Sequence, residues 1–369
     1  MEGGATPLRP GDVLAGHYEI LEVVESSPDS NTYRARDRQR CPACGCANEE
    51  GETYCRECGS SLEQPCYVTV VERLRIAPER YDERFEDGDR DYFVTVELPP
   101  SEGAPLGGAG AARMRLIWGR ATDRGQQRDL NEDHLEVWLY ARGSGGLLGL
   151  FVVADGLGGQ DSGEVASSLA TDTVWQSLRE SVWEPVIRGQ TLAPDELEAR
   201  LARAMRAASQ AVYEARLARN SEMSTTLTLA LVVDDTTYVG NVGDSRTYIW
   251  NAKGLRRITR DHSLVQRLVD TGQIEPRDVY AHPQRNLIYQ SVGDAPDVRP
   301  DVFREMLAPD DRLILCSDGL WEMVRDEGID EVLLAEPDPQ RACERLVRDA
   351  NMAGGEDNIS VIIVQACAA

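Results

Sequence analysis

Positive charge is what this chain most lacks. Its 369 residues carry 39 Lys and Arg against 63 Asp and Glu, a formal net charge of -24. Nucleic-acid phosphates need a basic face, so nucleic acid is excluded as a partner. Long apolar runs are missing as well. No stretch reaches the roughly 18 to 20 apolar residues that span a bilayer, and the opening MEGGATPLRPGD lacks the charged-then-apolar pattern of a secretory leader. The expectation is a cytoplasmic chain with no membrane partner. A disulfide framework is absent too. The cysteine count is odd, at nine, and Cys41, Cys44, Cys46, Cys55, Cys58 and Cys66 crowd together while Cys316, Cys343 and Cys367 are scattered. The scattered three read as ordinary buried thiols.

What is present suffices for a packed core, with a hydrophobic share of 41% and length for one large and one smaller domain. The segment ELPPSEGAPLGGAGAA, residues 97–112, has too much Pro, Gly and Ala to bury a face and reads as a flexible linker. It separates a region at 1–96 from a domain at 113–369.

In the first region, Cys41-Pro-Ala-Cys44-Gly and Cys55-Arg-Glu-Cys58-Gly form two knuckles. Each lets two thiolates grip one metal from a tight turn, with a glycine supplying the positive φ that the turn needs. Together they predict a four-sulfur structural zinc at about 39–62, similar to a zinc ribbon, with Cys46 and Cys66 left over. The flanks ANEEGET and SSLEQP carry no basic stripe, against nucleic-acid binding. GHYEILEVVESSPDSNTYRARD, residues 16–37, alternates like two strands joined by a turn. It resembles the opening of a protein-kinase N-lobe, and RDYFVTVELP resembles a kinase hinge strand. Yet ESSPDSN stands where a glycine loop would meet phosphates, no V-A-I-K lysine follows and no catalytic loop exists. Kinase activity is excluded, and the region reads as a β-rich regulatory or docking module.

In the second region, strand patterns at MRLIWGRATDRG, EVWLYARG, GLLGLFVVAD, STTLTLALVVDD, TTYVGNVG, SRTYIWNAK, DRLILCSD and NISVIIVQA alternate with helical stretches. SGEVASSLATDTVWQSLRES and PDELEARLARAMRAASQAVYEARLARN read as amphipathic helices, the latter with Leu197, Leu201, Met205 and Ala208 on one face. Two more helices are expected at roughly 328–336 and 338–352. Strands in runs and helices in pairs predict an α+β fold of packed sheets covered by helices. Aspartates recur at the strand ends: Asp155 in VVADGLGG, Asp318 in LCSDGL, Asp357 in EDNIS and Asp244 in VGDSR, joined by Glu132 and Asp133 from RDLNED. A carboxylate stranded beside an apolar strand is costly unless a cation meets it. Several together suit magnesium or manganese rather than zinc.

The ordered set RDLNED, VVADGLGG, STTLTLALV, VGDSR, RDHSLV, HPQRNLIYQSVG, LCSDGL and DNISVIIV is similar to the metal-dependent protein serine/threonine phosphatases of the 2C type, across nearly all of residues 114–365. The resemblance implies a β-sandwich flanked by helices in α-β-β-α layers, with a binuclear manganese or magnesium centre. It implies that Asp155 bridges two metals, with the Gly156 carbonyl as a further ligand, Glu132 on one metal directly or through water, and Asp318 and Asp357 on the other. Arg128 matches the family's phosphate-gripping arginine, and Asp133 acts near the metals through water. An activated water then attacks phosphorus. The implied partners are phosphorylated proteins, with a cognate serine/threonine kinase or its substrates added by analogy.

Three bland readings stand beside these. Asp244 reads as a turn residue and His262 and His282 as structural, while Arg128 has the spacing of an i,i+4 partner of Glu132. Two departures favour a rival reading, a binding module with the fold and no turnover. Leu157 occupies the place where some members carry a histidine that protonates the leaving group, so the general acid is unassigned. For a weak third metal, Glu222 is the nearby carboxylate and Ser224 replaces the usual glycine.

Overall fold

The structure, a computed structural model, describes residues 8–27, 30–40, 48, 66–73, 83–87, 90–97, 114–141, 147–158 and 162–368. The zinc-assigned Cys41, Cys44, Cys55 and Cys58, together with Cys46 and residues 98–112, lie outside the described residues. The chain forms two compact units, Met1–Leu106 and Gly107–Ala369.

The first unit is one antiparallel sheet of β1 (Val13–Leu14), β2 (Tyr18–Ser27), β3 (Ser30–Asp37), β4 (Cys66–Arg73), β5 (Glu83–Asp87) and β6 (Arg90–Glu97), in the order β1-β2-β3-β4-β6-β5. Period-2 alternation buries Tyr18, Ile20, Tyr33, Ala35, Val68 and Val70 as one cluster, with Cys66 among them. Glu22 and Arg34 pair across the solvent side at 3.7 Å. Beyond β3, the Asp37 carboxylate accepts the N–H groups of Gln39 and Arg40, turning the chain toward the cysteine-rich segment.

The second unit begins with β7 (Met114–Asp123), β8 (His134–Ala141), β9 (Leu147–Ala154) and β10 (Gly156–Leu157). Helix α1 (Ser162–Leu178) follows, then a π-helical turn (Arg179–Trp183), α2 (Glu184–Ile187) and α3 (Pro194–Arg219). Next come β11 (Ser224–Thr225), β12 (Leu227–Val233), β13 (Thr236–Val242), β14 (Arg246–Asn251) and β15 (Gly254–Arg257). After α4 (Leu264–Asp270) and a 3-10 turn (Pro276–Ala281), the unit closes with β16 (Asp301–Met306), β17 (Arg312–Cys316), α5 (Asp318–Ala335), α6 (Pro339–Met352) and β18 (Ile359–Ala368).

Two five-stranded antiparallel sheets result, ordered β16-β13-β12-β9-β8 and β15-β14-β17-β18-β7. Their facing side chains, including Phe151, Val153, Val232, Leu313, Leu315 and Ile362, make the middle core. The outer faces are covered in turn, the first sheet by α1 and α3 and the second by α5 and α6. This is why β9 and β12 read as continuous apolar runs rather than alternating ones: both faces are buried. On α3, Leu197, Leu201, Met205 and Ala208 are all buried. A Cβ at Gly240 would lie 2.5 Å from the Met205 sulfur, so the missing side chain lets the helix sit down on β13.

The edge of β7 is also dressed. The Gln340 side chain accepts from the Arg120 N–H at 3.0 Å and donates to its carbonyl at 3.1 Å, standing in for a neighbouring strand. Cys316 and Cys343 are buried thiols, while Cys367 is half-buried.

Candidate active site

At one end of the sandwich the polypeptide leaves both sheets at once, and the acidic residues fall there. Asp155 follows β9. Its N–H donates to Thr226 Oγ1 at 3.0 Å, and its carbonyl accepts from the Thr226 N–H and the Thr225 hydroxyl, both at 2.8 Å. The backbone is thereby pinned while the carboxyl projects into the site. Gly156 is needed for the same approach, since a Cβ would lie 2.4 Å from the carbonyl oxygens of Glu132 and Gly163.

Glu132 and Asp133 end the loop between β7 and β8. One Glu132 oxygen accepts the Gly163 N–H at the start of α1, at 3.1 Å. An anion there is favoured by the free amides of the helix terminus. Asp133 accepts the Ser317 hydroxyl at 2.8 Å, and Ser360 adds a second hydroxyl. Its other oxygen is buried without a partner, as is one oxygen of Asp318. Asp318 opens α5, and Asp357 and Asn358 immediately precede β18.

Burial and mutual charge set the electrostatics of these acids. Burial first, then the charges of Asp318 and Asp133, hold the Asp155 carboxyl well above the ordinary carboxylate range. Burial and then Asp244 do the same to Asp318, which shares a hydrogen bond with Asp155. Burial pushes Asp133 up to about 7, with Asp357 and Glu132 adding to it and the two serine hydroxyls opposing. Among the described residues, no three His, Cys, Asp or Glu side chains already meet as a closed metal cage. The unpartnered oxygens of Asp133 and Asp318, and the cradle that a Cβ at Gly156 would fill, fit a divalent cation held by these oxygens.

Arg128 is half-exposed on the same loop and donates to Asp357 at 2.6 Å. Burial lowers its proton affinity, but Asp357, Asp318 and Asp155 together raise it on balance. Its partner is therefore Asp357, and the i,i+4 contact with Glu132 is not what holds it.

Of the residues read as structural, His262 is buried between the Gly243 N–H, at 3.2 Å from Nδ1, and Asp301, at 3.2 Å from Nε2. His282 accepts the Gln284 N–H at 3.2 Å. Asp244 does more than turn the chain. Its carbonyl accepts Trp321 Nε1–H at 3.0 Å, yet its buried carboxyl is also the charge that most raises Asp318. The orientation of a side chain in a tight turn left no trace in the sequence. Leu157 pairs with Ser224 in the short β10–β11 ladder, and Glu222 is exposed.

Arg285 also comes near unannounced. It pairs with Glu322 and Glu356, each at 3.0 Å, and so clips the segment after α4 to the first turns of α5 and to the loop before β18.

The family model described as Protein phosphatase 2C matches residues 122–336. Over 247 residues the chain is 33% identical to the serine/threonine phosphatase stp of Listeria monocytogenes serotype 4b (strain F2365), covering 66% of this chain and 93% of that protein. It is 31% identical over 243 residues to protein phosphatase PhpP of Streptococcus pneumoniae serotype 2 (strain D39 / NCTC 7466), covering 66% and 94%. Among solved structures, the Mycobacterium tuberculosis serine/threonine phosphatase PstP/Ppp superposes with a TM-score of 0.57 at 35% identity, over 68% of this chain and 98% of that one. The catalytic domain of PstP in complex with 2 manganese ions gives a TM-score of 0.57 at 31% identity, over 69% and 99%. This chain belongs to the protein phosphatase 2C family of metal-dependent serine/threonine phosphatases.

Proposed function

We propose that this phosphatase hydrolyses phosphoserine and phosphothreonine at the cluster of Asp155, Asp318, Asp357, Glu132 and the Gly156 carbonyl, with Arg128 and Asp133 at its margin. The observation that carries this assignment is the pair of buried, unpartnered oxygens on Asp133 and Asp318 within a group of acids that raise one another's proton affinity. Two manganese or magnesium ions bound there would supply the Lewis acidity that activates a water and polarises the phosphoryl group. Asp155 would bridge them from its pinned backbone, Glu132 would serve one and Asp318 and Asp357 the other. Arg128 would swing from Asp357 to the phosphate dianion, for which a guanidinium fork is suited. Asp133, held by two hydroxyls, would orient water through its free oxygen. Leu157 offers no proton, so the leaving alkoxide would take one from water.

The first unit would act as a recruiting or regulatory module for phosphorylated proteins, among them a cognate serine/threonine kinase or its substrates. Cys41, Cys44, Cys55 and Cys58 would bind one structural zinc in it. A cytoplasmic setting suits such substrates, and among the described residues no helix is long and apolar enough to cross a membrane.

The test is a manganese-dependent assay of the full chain on p-nitrophenyl phosphate and a phosphothreonine peptide, alongside metal analysis. Turnover with two exchangeable divalent ions and one tightly held zinc is expected. Verified folded protein that turns over neither substrate with manganese or magnesium would sink the site assignment.

A further inference from the structure

The loop from 124 to 133 carries Arg128, Glu132 and Asp133 but belongs to no strand or helix. Its backbone groups have no ladder, so something else must satisfy them. Asn358 does much of this from across the sheet. It is only 5% exposed. Its amide nitrogen donates to the carbonyls of Arg124 at 2.9 Å and Leu130 at 2.8 Å. Its amide oxygen accepts the Glu132 N–H at 2.8 Å. Both donors and the carbonyl of one side chain are thus used on a single loop, a combination that a carboxylate or a hydroxyl cannot reproduce.

The backbone of Asn358 completes the connection. Its N–H donates to Asp357 Oδ1 at 2.8 Å, orienting the acid that Arg128 pairs with. Its carbonyl lies where a Cβ on Gly319 would come within 2.1 Å, so the start of α5 rests directly against it. Three segments bearing Glu132, Asp318 and Asp357 therefore meet at this one residue.

We propose that Asn358 is a positioning residue that sets the 124–133 loop in register with Asp357, and through it places Glu132 and Arg128. The catalytic consequence rests on the site assignment above, whereas the anchoring of the loop does not. Gln126, on the same loop, pairs with Asn351 at 2.8 Å on the exposed side and serves as the control.

The experiment uses the full chain with Asn358→Asp, Asn358→Ala and Gln126→Ala. Hydrogen exchange of the 124–133 segment is read in chelator, Mn2+ binding by calorimetry, and KM and kcat on p-nitrophenyl phosphate. In Asn358→Ala the loop should exchange at least about tenfold faster, because its anchored amide at Glu132 is released. In Asn358→Asp that acceptor remains, and the loop should loosen because the carbonyls of Arg124 and Leu130 lose their donor and face a carboxylate. Mn2+ affinity should fall roughly 10- to 100-fold, and KM should rise with the displaced Arg128. Gln126→Ala should leave Mn2+ affinity where it was. Unchanged loop exchange and unchanged Mn2+ affinity in folded Asn358→Ala would overturn the proposal. An inactive wild type whose loop still loosens in the variants would refute the site assignment and leave the anchoring intact. If neither variant folds, the wild type decides: a Glu132 amide that exchanges as fast as that of Asp129 overturns the proposal, and a protected one upholds it.

Discussion

Arg128 donates to Asp357 across the site at 2.6 Å, while Glu132, its neighbour four residues on, is held by the N–H of Gly163. The arginine thus rests on an acid proposed to bind metal, and under that proposal it would exchange that partner for phosphate. Replacing it should weaken phosphate capture more than the chemical step. A charged hydrogen bond is worth about 1.5–3 kcal/mol, so Arg128→Ala should cost roughly 10- to 100-fold in kcat/KM, chiefly through KM. Arg128→Lys should recover only part of this, since the fork is lost. Steady-state kinetics on p-nitrophenyl phosphate decide it, and an unaltered KM in both variants contradicts the assigned role.

Asp155→Asn should raise stability and destroy activity together. Its main-chain anchors to Thr225 and Thr226 do not involve the carboxyl, so the fold should persist. Removing a buried acid whose ionisation the site disfavours should increase the Tm of chelated protein, by roughly 2–4 °C per kcal/mol recovered. Turnover should fall by several orders of magnitude. A melting curve in EDTA beside a Mn2+ assay tests both signs, and a lowered Tm or a retained rate counts against the site.

Metal removal should give a pH signature. In the cation-free protein, Asp133 and Asp244 are pushed up to about 7, both chiefly by burial, while Asp155 and Asp318 stand well above the ordinary carboxylate range. Groups raised in the folded state contribute stability below their unfolded value, about pH 4, and lose it as pH rises through the folded one. A bound cation favours the ionised forms and offsets that loss. The gap in Tm between Mn2+-loaded and chelated protein should therefore widen from about pH 5 to pH 8. Thermal melts in paired buffers read it directly, and a gap that narrows with pH would refute the assignment.

Gly319→Ala is expected to be harsh for so small a change. The added methyl would meet the Asn358 carbonyl oxygen at 2.1 Å, and that contact is backbone rather than a side chain that can swing away. Overpacking of this kind costs about 1–3 kcal/mol. Denaturant melts should show that loss, with Mn2+ affinity reduced in parallel. Wild-type stability would mean that the segments are looser than they stand here.

Much of this was legible because burial on both faces leaves strong marks. Continuous apolar strands such as Leu227–Val233 and the Leu197, Leu201, Met205, Ala208 stripe could be read directly. The aspartates at strand ends stood out as well, and the structure brings Asp155, Asp318 and Asp357 together. The beginning of α5 was not legible. The sequence suggests a helix from about 328, whereas α5 starts at Asp318 and is kinked at Arg325, whose φ is 60°. Gly319 and Gly328 weaken the helical pattern there, and the first of them is required by contact with Asn358 rather than by local preference. The edge strand Asp301–Met306 escaped for the opposite reason, because its side chains are only partly buried and its alternation is faint. The hydroxyls that hold Asp133 were hidden too, since Ser317 and Ser360 come from other segments and only the tertiary fold brings them together.

The acids divide evenly between the two sheets. Glu132 leads into β8 and Asp155 leaves β9 in one, while Asp318 leaves β17 and Asp357 leads into β18 in the other. Along most of its length the sandwich is closed by interdigitated aliphatic side chains. At this end acids from both layers face one another, so that ionising them together would push the layers apart, an effect that Arg128 on Asp357 offsets only in part. Under the proposed assignment, a divalent cation taken up there would act as a rivet, so that loading the site would also fasten the two halves of the scaffold.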